Sequence, residues 1–295
     1  ICDSDMKKEA IMYIRQFDFP GESAEIKYIS GFKYTCYDSF YPFWIFPDRG
    51  LETIDFEPIT IFCGGNGSGK TTALNIIAEK LGLHRDSAFN RTSFFRDFTD
   101  MCRCRTFGAV PEHSCIITSD DVFDYMLDIR TLNEGIDIRR EELFAEYTDA
   151  RYSGFKLNSL DDYDQLKKVN NSRRLSKSKF ARGGVMDNVR GRSNGENAFS
   201  YFADRIRENA LYLLDEPENS LSAERQLELA RFLEDSVRFF GCQLILSTHS
   251  PFLLSLRDAR IYNFDARPIS VCRWTELKNV RTFFDFFMTH REEFG

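Results

Sequence analysis

The chain has 295 residues, 42% of them hydrophobic, with 39 Lys and Arg against 46 Asp and Glu for a formal charge of −7. That length suits one large domain or two small ones, and the composition allows a full hydrophobic core. The acidic balance excludes a basic footprint over the whole surface, so any nucleic-acid contact has to come from a local patch.

No apolar run approaches the roughly 18 residues of a membrane span. No secretory signal shows at the start, and the chain opens on Ile1, which leaves its natural start open. The cysteines (Cys2, Cys36, Cys63, Cys102, Cys104, Cys115, Cys242 and Cys272) stand singly, without zinc spacing. They read as reduced, small hydrophobes, which points to a cytoplasmic protein. The 29 Phe imply aromatic packing and a partner surface.

In chain order, residues 1–20 predict a short helix with Ile11, Tyr13, Ile14 and Phe17 apolar, ending near Pro20. Ile26–Ile29 and Tyr41–Phe46 read as antiparallel strands, the second at an edge because of Pro42. Pro58–Cys63 is a short β-branched apolar run, a buried strand, and Ala73–Leu81 reads as a helix. From 84 to 192 the pattern changes to an inserted lobe. Cys115–Thr118 is a strand there, while Val122–Arg130 and Arg140–Ala150 are short helices. From 165 to 192 the lobe turns basic (Lys167, Lys168, Arg173, Arg174, Lys177, Lys179, Arg182, Arg190, Arg192) against Asp187 alone, as a mobile lid or a nucleic-acid contact. Phe199–Asn209 is then a helix and Leu211–Leu214 a buried strand. Ala223–Phe239 is an amphipathic helix with Leu227, Ala230, Leu233 and Val237 on one face. Gln243–Ser247 is buried, Ile261–Phe264 and Ile269–Cys272 pair late, and Leu277–Phe294 closes as a helix.

Between the Pro58–Cys63 strand and its helix lies Gly64-Gly65-Asn66-Gly67-Ser68-Gly69-Lys70-Thr71-Thr72, which fits the phosphate-binding loop G-x-x-x-x-G-K-[ST]. Strand, glycine loop and helix aim backbone N–H groups and a helix N-terminus at phosphate. Lys70 is placed to reach the β- and γ-phosphates, and the Thr71 hydroxyl to ligate Mg²⁺. Leu211–Leu214 delivers Asp215 and Glu216 to a strand's carboxyl end, where ligands bind in parallel sheets. Asp215 is the metal ligand and Glu216 the general base for the attacking water. His249, at the end of Gln243–Ser247, is placed to bond the γ-phosphate or that water, although Ser250-Pro251 also reads as a helix start.

These motifs, with Ser193-Asn194-Gly195-Glu196 just upstream of the Asp215 strand, resemble the ATP-binding-cassette ATPase family. Asp215-Glu216-Pro217-Glu218-Asn219-Ser220-Leu221-Ser222 and Thr248–Leu254 are similar to the soluble, stand-alone "AAA family" ATPases of that superfamily, the SMC/RecF/OLD-like type. The resemblance implies an α/β P-loop NTPase: an ABC-type ATPase head with a mostly parallel core sheet, an antiparallel side sheet and a helical lobe. It implies one domain over 1–295, with the lobe of 84–192 ending in the signature motif. It also implies a dimer in which Ser193, Gly195 and Glu196 reach the γ-phosphate on the other subunit's loop, with Asn219–Ser222 at the seam. The usual glutamine after the third strand is missing; Ser119, Asp120 and Asp121 stand near its place. Tyr37, Phe40 and Tyr41 are candidates to stack on adenine.

The expected function is that of an Mg²⁺-dependent ATPase, a dimeric switch gated by ATP that controls a partner effector, as in bacterial anti-phage defence. The aromatic C-terminus (Phe283, Phe284, Phe286, Phe287) supports that reading. The alternatives are a repair-type ATPase binding DNA or RNA through 167–192 and an ABC transporter subunit, against which the Asp-Glu-Pro-Glu-Asn form, the missing glutamine and the polar insert all stand. No membrane contact of the chain's own is expected.

Overall fold

The computed structural model describes residues 11–33, 36–154, 162–189 and 194–295. The elements are β1 (Ile14–Asp18), α1 (Glu22–Ser30), β2 (Thr53–Asp55), β3 (Ile59–Cys63), α2 (Lys70–Leu81), α3 (Phe95–Met101), β4 (Arg103–Thr106), β5 (Cys115–Thr118), α4 (Ser119–Tyr152), α5 (Tyr163–Arg174), α6 (Lys177–Arg182), α7 (Asn194–Arg205), β6 (Leu211–Asp215), α8 (Ala223–Phe240), β7 (Gln243–Ser247), α9 (Pro251–Leu254), β8 (Arg260–Asn263), β9 (Ser270–Cys272) and α10 (Lys278–Thr289). The chain divides into two compact units, Ile1–Val122 with Asn194–Gly295, and Phe123–Ser193. Residues 84–122, assigned to the lobe from sequence, fall in the first unit.

In the first unit, six strands run in the order β5-β6-β7-β3-β8-β9, parallel except for the antiparallel β8–β9 pair. Strands β3, β6 and β7 are buried along their whole length. That is why they read as unbroken apolar runs rather than alternating ones: a parallel strand covered on both faces has no side to give to water. The parallel strands end at one sheet edge, so the residues after Cys63, Thr118, Asp215, Ser247 and Asn263 gather there.

The antiparallel side sheet exists, in the order β2-β1-β4, but from other strands than expected. Residues 14–18 form strand β1, not a helix. Its register against β4 shifts between Ile14 and Gln16, and Ile14 and Phe17 are both fully buried. A bulge adds one residue to a strand, so two core side chains three apart face the same way and imitate helical spacing. Residues 26–29 lie in helix α1, whose Glu- and Ala-bearing first turn and closing Gly31 outweigh a short β-branched run. Tyr41–Phe46 is a turn: Phe43 and Phe46 go into the core, and Pro42 has no N–H for a ladder.

Phenylalanines of β1 and of the segments beside it share one core cluster. Phe19 and Phe46 are 4.4 Å apart between ring centres, Phe43 and Phe98 5.0 Å, and Tyr28 stacks on Phe43 at 4.9 Å.

The two expected short helices are one helix, α4, which runs through Gly135. Arg139 pairs with Glu142 at 2.7 Å and with Glu146 at 3.3 Å. Lys168 of α5 pairs with Glu146 at 3.0 Å. Part of the basic segment therefore answers acidic side chains of α4. Arg190 and Arg192 lie outside the described residues. Face assignment also differs on α8, where Leu227 is 42% exposed while Leu229, Ala230, Leu233 and Val237 are buried.

Candidate functional site

The loop between β3 and α2 is shaped by two glycines, one with no room for a side chain and one with left-handed backbone. A Cβ at Gly64 would lie 2.9 Å from both Phe264 Cβ and Ser68 Oγ. Gly69 has a φ of 97°, and a Cβ there would meet Ile45 Cγ2 at 3.2 Å. Helix α2 starts without a side-chain cap, so its first-turn N–H groups point at the space above the loop with no carbonyl one turn back. Two outside residues brace the turn. Asp265, after β8, accepts from Gly65 N at 2.7 Å. Arg49 donates to Gly67 O at 3.0 Å and to Phe264 O at 3.2 Å.

Lys70 is buried, its ammonium donating to Gly64 O at 2.7 Å and Gly65 O at 3.2 Å and lying 3.0 Å from His249 Nε2. Burial pushes its pKa down, against the pull of Glu216 and Asp215. Thr71 Oγ1 donates to Asp215 Oδ1 at 3.1 Å. Asp215 is itself buried, which pushes its carboxyl pKa up, offset by the Thr71 hydroxyl. Glu216 Oε1 lies 3.3 Å from His249 Nε2, and Asn219 Nδ2 donates to Glu216 Oε2 at 3.2 Å. The His249 contact is the main reason that the Glu216 carboxyl is held below its ordinary value, which favours its ionised form. Through one nitrogen, then, His249 faces both the loop lysine and the second acid: Nε2 accepts from Lys70 in one tautomer and donates to Glu216 in the other.

The structure thus brings together Lys70, Thr71, Asp215, Glu216 and His249, all predicted from sequence. Asn66, Gly67, Ser68 and Thr72 line the same turn, and Thr72 Oγ1 lies 3.1 Å from Tyr41 OH. Of the three adenine candidates, Tyr41 is tied to the loop in this way, with its ring tilted against Phe95. Tyr37 and Phe40 both pack on Phe94, at 4.7 and 4.8 Å. Ser193 lies outside the described residues. Glu196 Oε1 pairs with Arg225 at 3.1 Å, and Gly195 sits by Arg225 and Ser220. At the missing-glutamine position, the Asp121 carboxylate accepts from Thr118 N, Thr118 Oγ1 and Ser87 N at 2.7–2.9 Å. It closes the start of α4. Sequence reasoning missed Asp265 and Arg49 as loop braces. Asp265 carried a signal, an acid just beyond a strand's end, whereas Arg49 carried none.

The donor chemistry suits a hard cation. Thr71 Oγ1 and Asp215 Oδ1 are adjacent oxygens, and Ser247, in register with Asp215, brings a buried hydroxyl to the same strand ends. Mg²⁺ takes one or two protein oxygens and keeps waters and substrate phosphates for the rest. No group of three or more His, Cys, Asp or Glu that could hold a metal occurs among the described residues, so a site with more side-chain ligands, of the kind zinc needs, is not found there.

Residues 111–255 match the family model described as "AAA domain, putative AbiEii toxin, Type IV TA system". Among curated proteins none matches. Solved structures similar to the chain include one titled "An inward-facing conformation of a putative metal-chelate type ABC transporter", with 15% identity, TM-score 0.37, covering 80% of this chain and 82% of that one. Another is the "Dimeric structure of a post-hydrolysis state of the ATP-binding cassette MJ0796 bound to ADP and Pi", with 12% identity, TM-score 0.35, covering 76% and 90%. A phosphate loop on the central strand, the acid pair two strands away and the histidine on the strand between them are the arrangement of a P-loop NTPase fold.

Proposed function

We propose that this chain binds ATP and hydrolyses it slowly between two head-to-tail copies, as a nucleotide-gated switch for a partner effector. The observation that carries the reading is the connected set Thr71–Asp215 and Lys70–His249–Glu216–Asn219, which joins the phosphate loop to a base across three adjacent strands. Phosphoryl transfer to water asks mainly for positioning and charge neutralisation. Lys70 and the α2 N-terminus take the phosphates. Thr71 and Asp215 would hold Mg²⁺, which would supply neutralisation of phosphate charge. Glu216 orients and deprotonates the attacking water, with His249 beside it. Ser193, Gly195 and Glu196 meet the γ-phosphate held by the other copy.

The effector reading draws on the AAA-domain match with its toxin–antitoxin description and on α10. There Phe283, Phe284, Phe286 and Phe287 are each about half exposed. Three of them line a pocket of about 760 Å³ whose other wall holds His249 and Glu218. A surface of this kind suits an apolar partner segment.

The test is Glu216→Gln. Hydrolysis falls about 10²–10⁴-fold, the range for losing a general base, while ATP remains bound in equilibrium dialysis. A variant that turns over at the wild-type rate overturns the role of Glu216, and a folded wild-type protein that does not bind ATP overturns the function.

A further inference from the structure

The His249 imidazole stands between Lys70 and Glu216, so whatever fixes its backbone fixes the site. That backbone is gripped at both ends of one residue. Glu218 Oε1 accepts from His249 N at 2.6 Å and from Ser250 N at 3.1 Å, and Asn279 Nδ2 donates to His249 O at 3.1 Å. Ser250 is held as well, its hydroxyl donating to Gln226 Oε1 at 2.7 Å.

Glu218 belongs to the tight turn after β6. Glu216 and Ser220 have φ of 49° and 69° there, and Asn219 N and Leu221 N bond back to Glu216 O and Glu218 O at 3.1 and 3.0 Å. In the same turn Asn219 holds the Glu216 carboxylate. Adjacent side chains of one turn therefore hold the base and the histidine. A carboxylate accepting two backbone N–H groups is a strong, charge-assisted clamp. Its second oxygen, Glu218 Oε2, is buried with no partner among the described residues. A buried, unpaired oxygen opposes folding, so helix capping alone, which Ser250 Oγ already performs on Phe252 N and Leu253 N, does not account for a glutamate here.

We infer that Glu218 is a positioning residue: it holds His249 between Lys70 and Glu216, and it makes the histidine and the base move together when the turn moves. This inference rests on the ATPase reading above and deepens it.

The experiment is a double-mutant cycle on the full chain, with amide hydrogen exchange at 249 and 250 as a readout that needs no hydrolysis. Glu218→Ala lowers kcat about 10- to 100-fold, the scale of a small misplacement near the reacting atoms, with KM for ATP little moved. Glu218→Gln, which keeps an oxygen for both N–H groups, recovers most of the rate. In a His249→Ala background Glu218→Ala costs nothing further, because its effect passes through that ring. The two amides exchange faster in Glu218→Ala and not in Glu218→Gln. If Glu218→Ala fails to fold, Glu218→Asp, which keeps the charge on a side chain one methylene too short, replaces it with the same expected loss. Equal losses with and without His249, or unchanged exchange at 249 and 250, overturn the inference. A wild-type protein inert toward ATP overturns the ATPase reading alone, and the exchange data then decide whether the clamp exists.

Discussion

Glu25 has no accessible surface, with Oε2 accepting from Trp44 N at 2.6 Å and Oε1 lacking a partner among the described residues. Burial pushes its carboxyl from 4.5 up to about 7, helped by Asp48 and Glu22 and opposed by the Trp44 N–H. Because the folded state holds this proton more tightly than the unfolded chain does, the contribution is fully present below about 4.5 and is lost as pH rises to about 7. The wild-type melting temperature should therefore fall between pH 5 and pH 8 relative to that of Glu25→Gln, in calorimetric scans of both proteins. Parallel pH profiles would show that the group titrates normally in the fold. Nothing in a helix beginning Gly21-Glu22-Ser23-Ala24-Glu25 tells that the second glutamate faces inward. Lys70, Thr71, Asp215 and Glu216 were legible for the opposite reason: their places are set by backbone a few residues away.

Gln243 opens β7 and joins the two sheets of the first unit. Its side chain accepts from Tyr13 N and Ile14 N at 2.7 and 2.9 Å, and donates to Ile14 O at 2.8 Å. These are backbone groups of β1 and the residue before it, next to the strand's bulge. Gln243→Leu takes this partner from two N–H groups and from the Ile14 and Glu57 carbonyls, and a cost of about 2–4 kcal/mol follows from roughly 1–3 kcal/mol for each unsatisfied group, partly relieved by relaxation and water. Urea unfolding should show this as a lower midpoint at unchanged slope, and a loss under about 0.5 kcal/mol would mean that water takes over the bonds. Among the elements, β3, β6, β7 and α8 were legible because burial on both faces, or on one stripe, writes a pattern into the sequence. Strand β1 was not, since its bulge shifts the period. The turn at 41–46 was not, since aromatic anchoring there follows ring packing with Phe98 and Phe19 rather than any local preference. Helix α4 outran its prediction because one Gly costs only about 1 kcal/mol against the pairs around it.

At the scale of the whole molecule, the first unit presents its phosphate loop, the Glu216 turn and the α7 start, while no helix among the described residues is long and apolar enough to cross a membrane. The proposed pairing of two copies predicts that nucleotide joins them, since a ligand bound only by the dimer stabilises it by mass action. Sedimentation of Glu216→Gln should show monomer without ATP and dimer with it, and a monomer at saturating ATP would end the head-to-tail arrangement. The basic helices α5 and α6 are weaker support for nucleic acid than their composition implied, because Lys168 pairs with Glu146, Arg173 donates to Ser153 O, and Lys177 lies over Phe144. By itself the sequence determined the phosphate loop, the acid pair and the strand-end histidine, because each is a short stretch whose placement depends on its own backbone. Only the tertiary structure decided that Asp265 and Arg49 brace the loop, that Glu218 and Asn279 hold His249, and which strands build the side sheet. Those contacts join residues tens to hundreds of positions apart, and no local spacing encodes them.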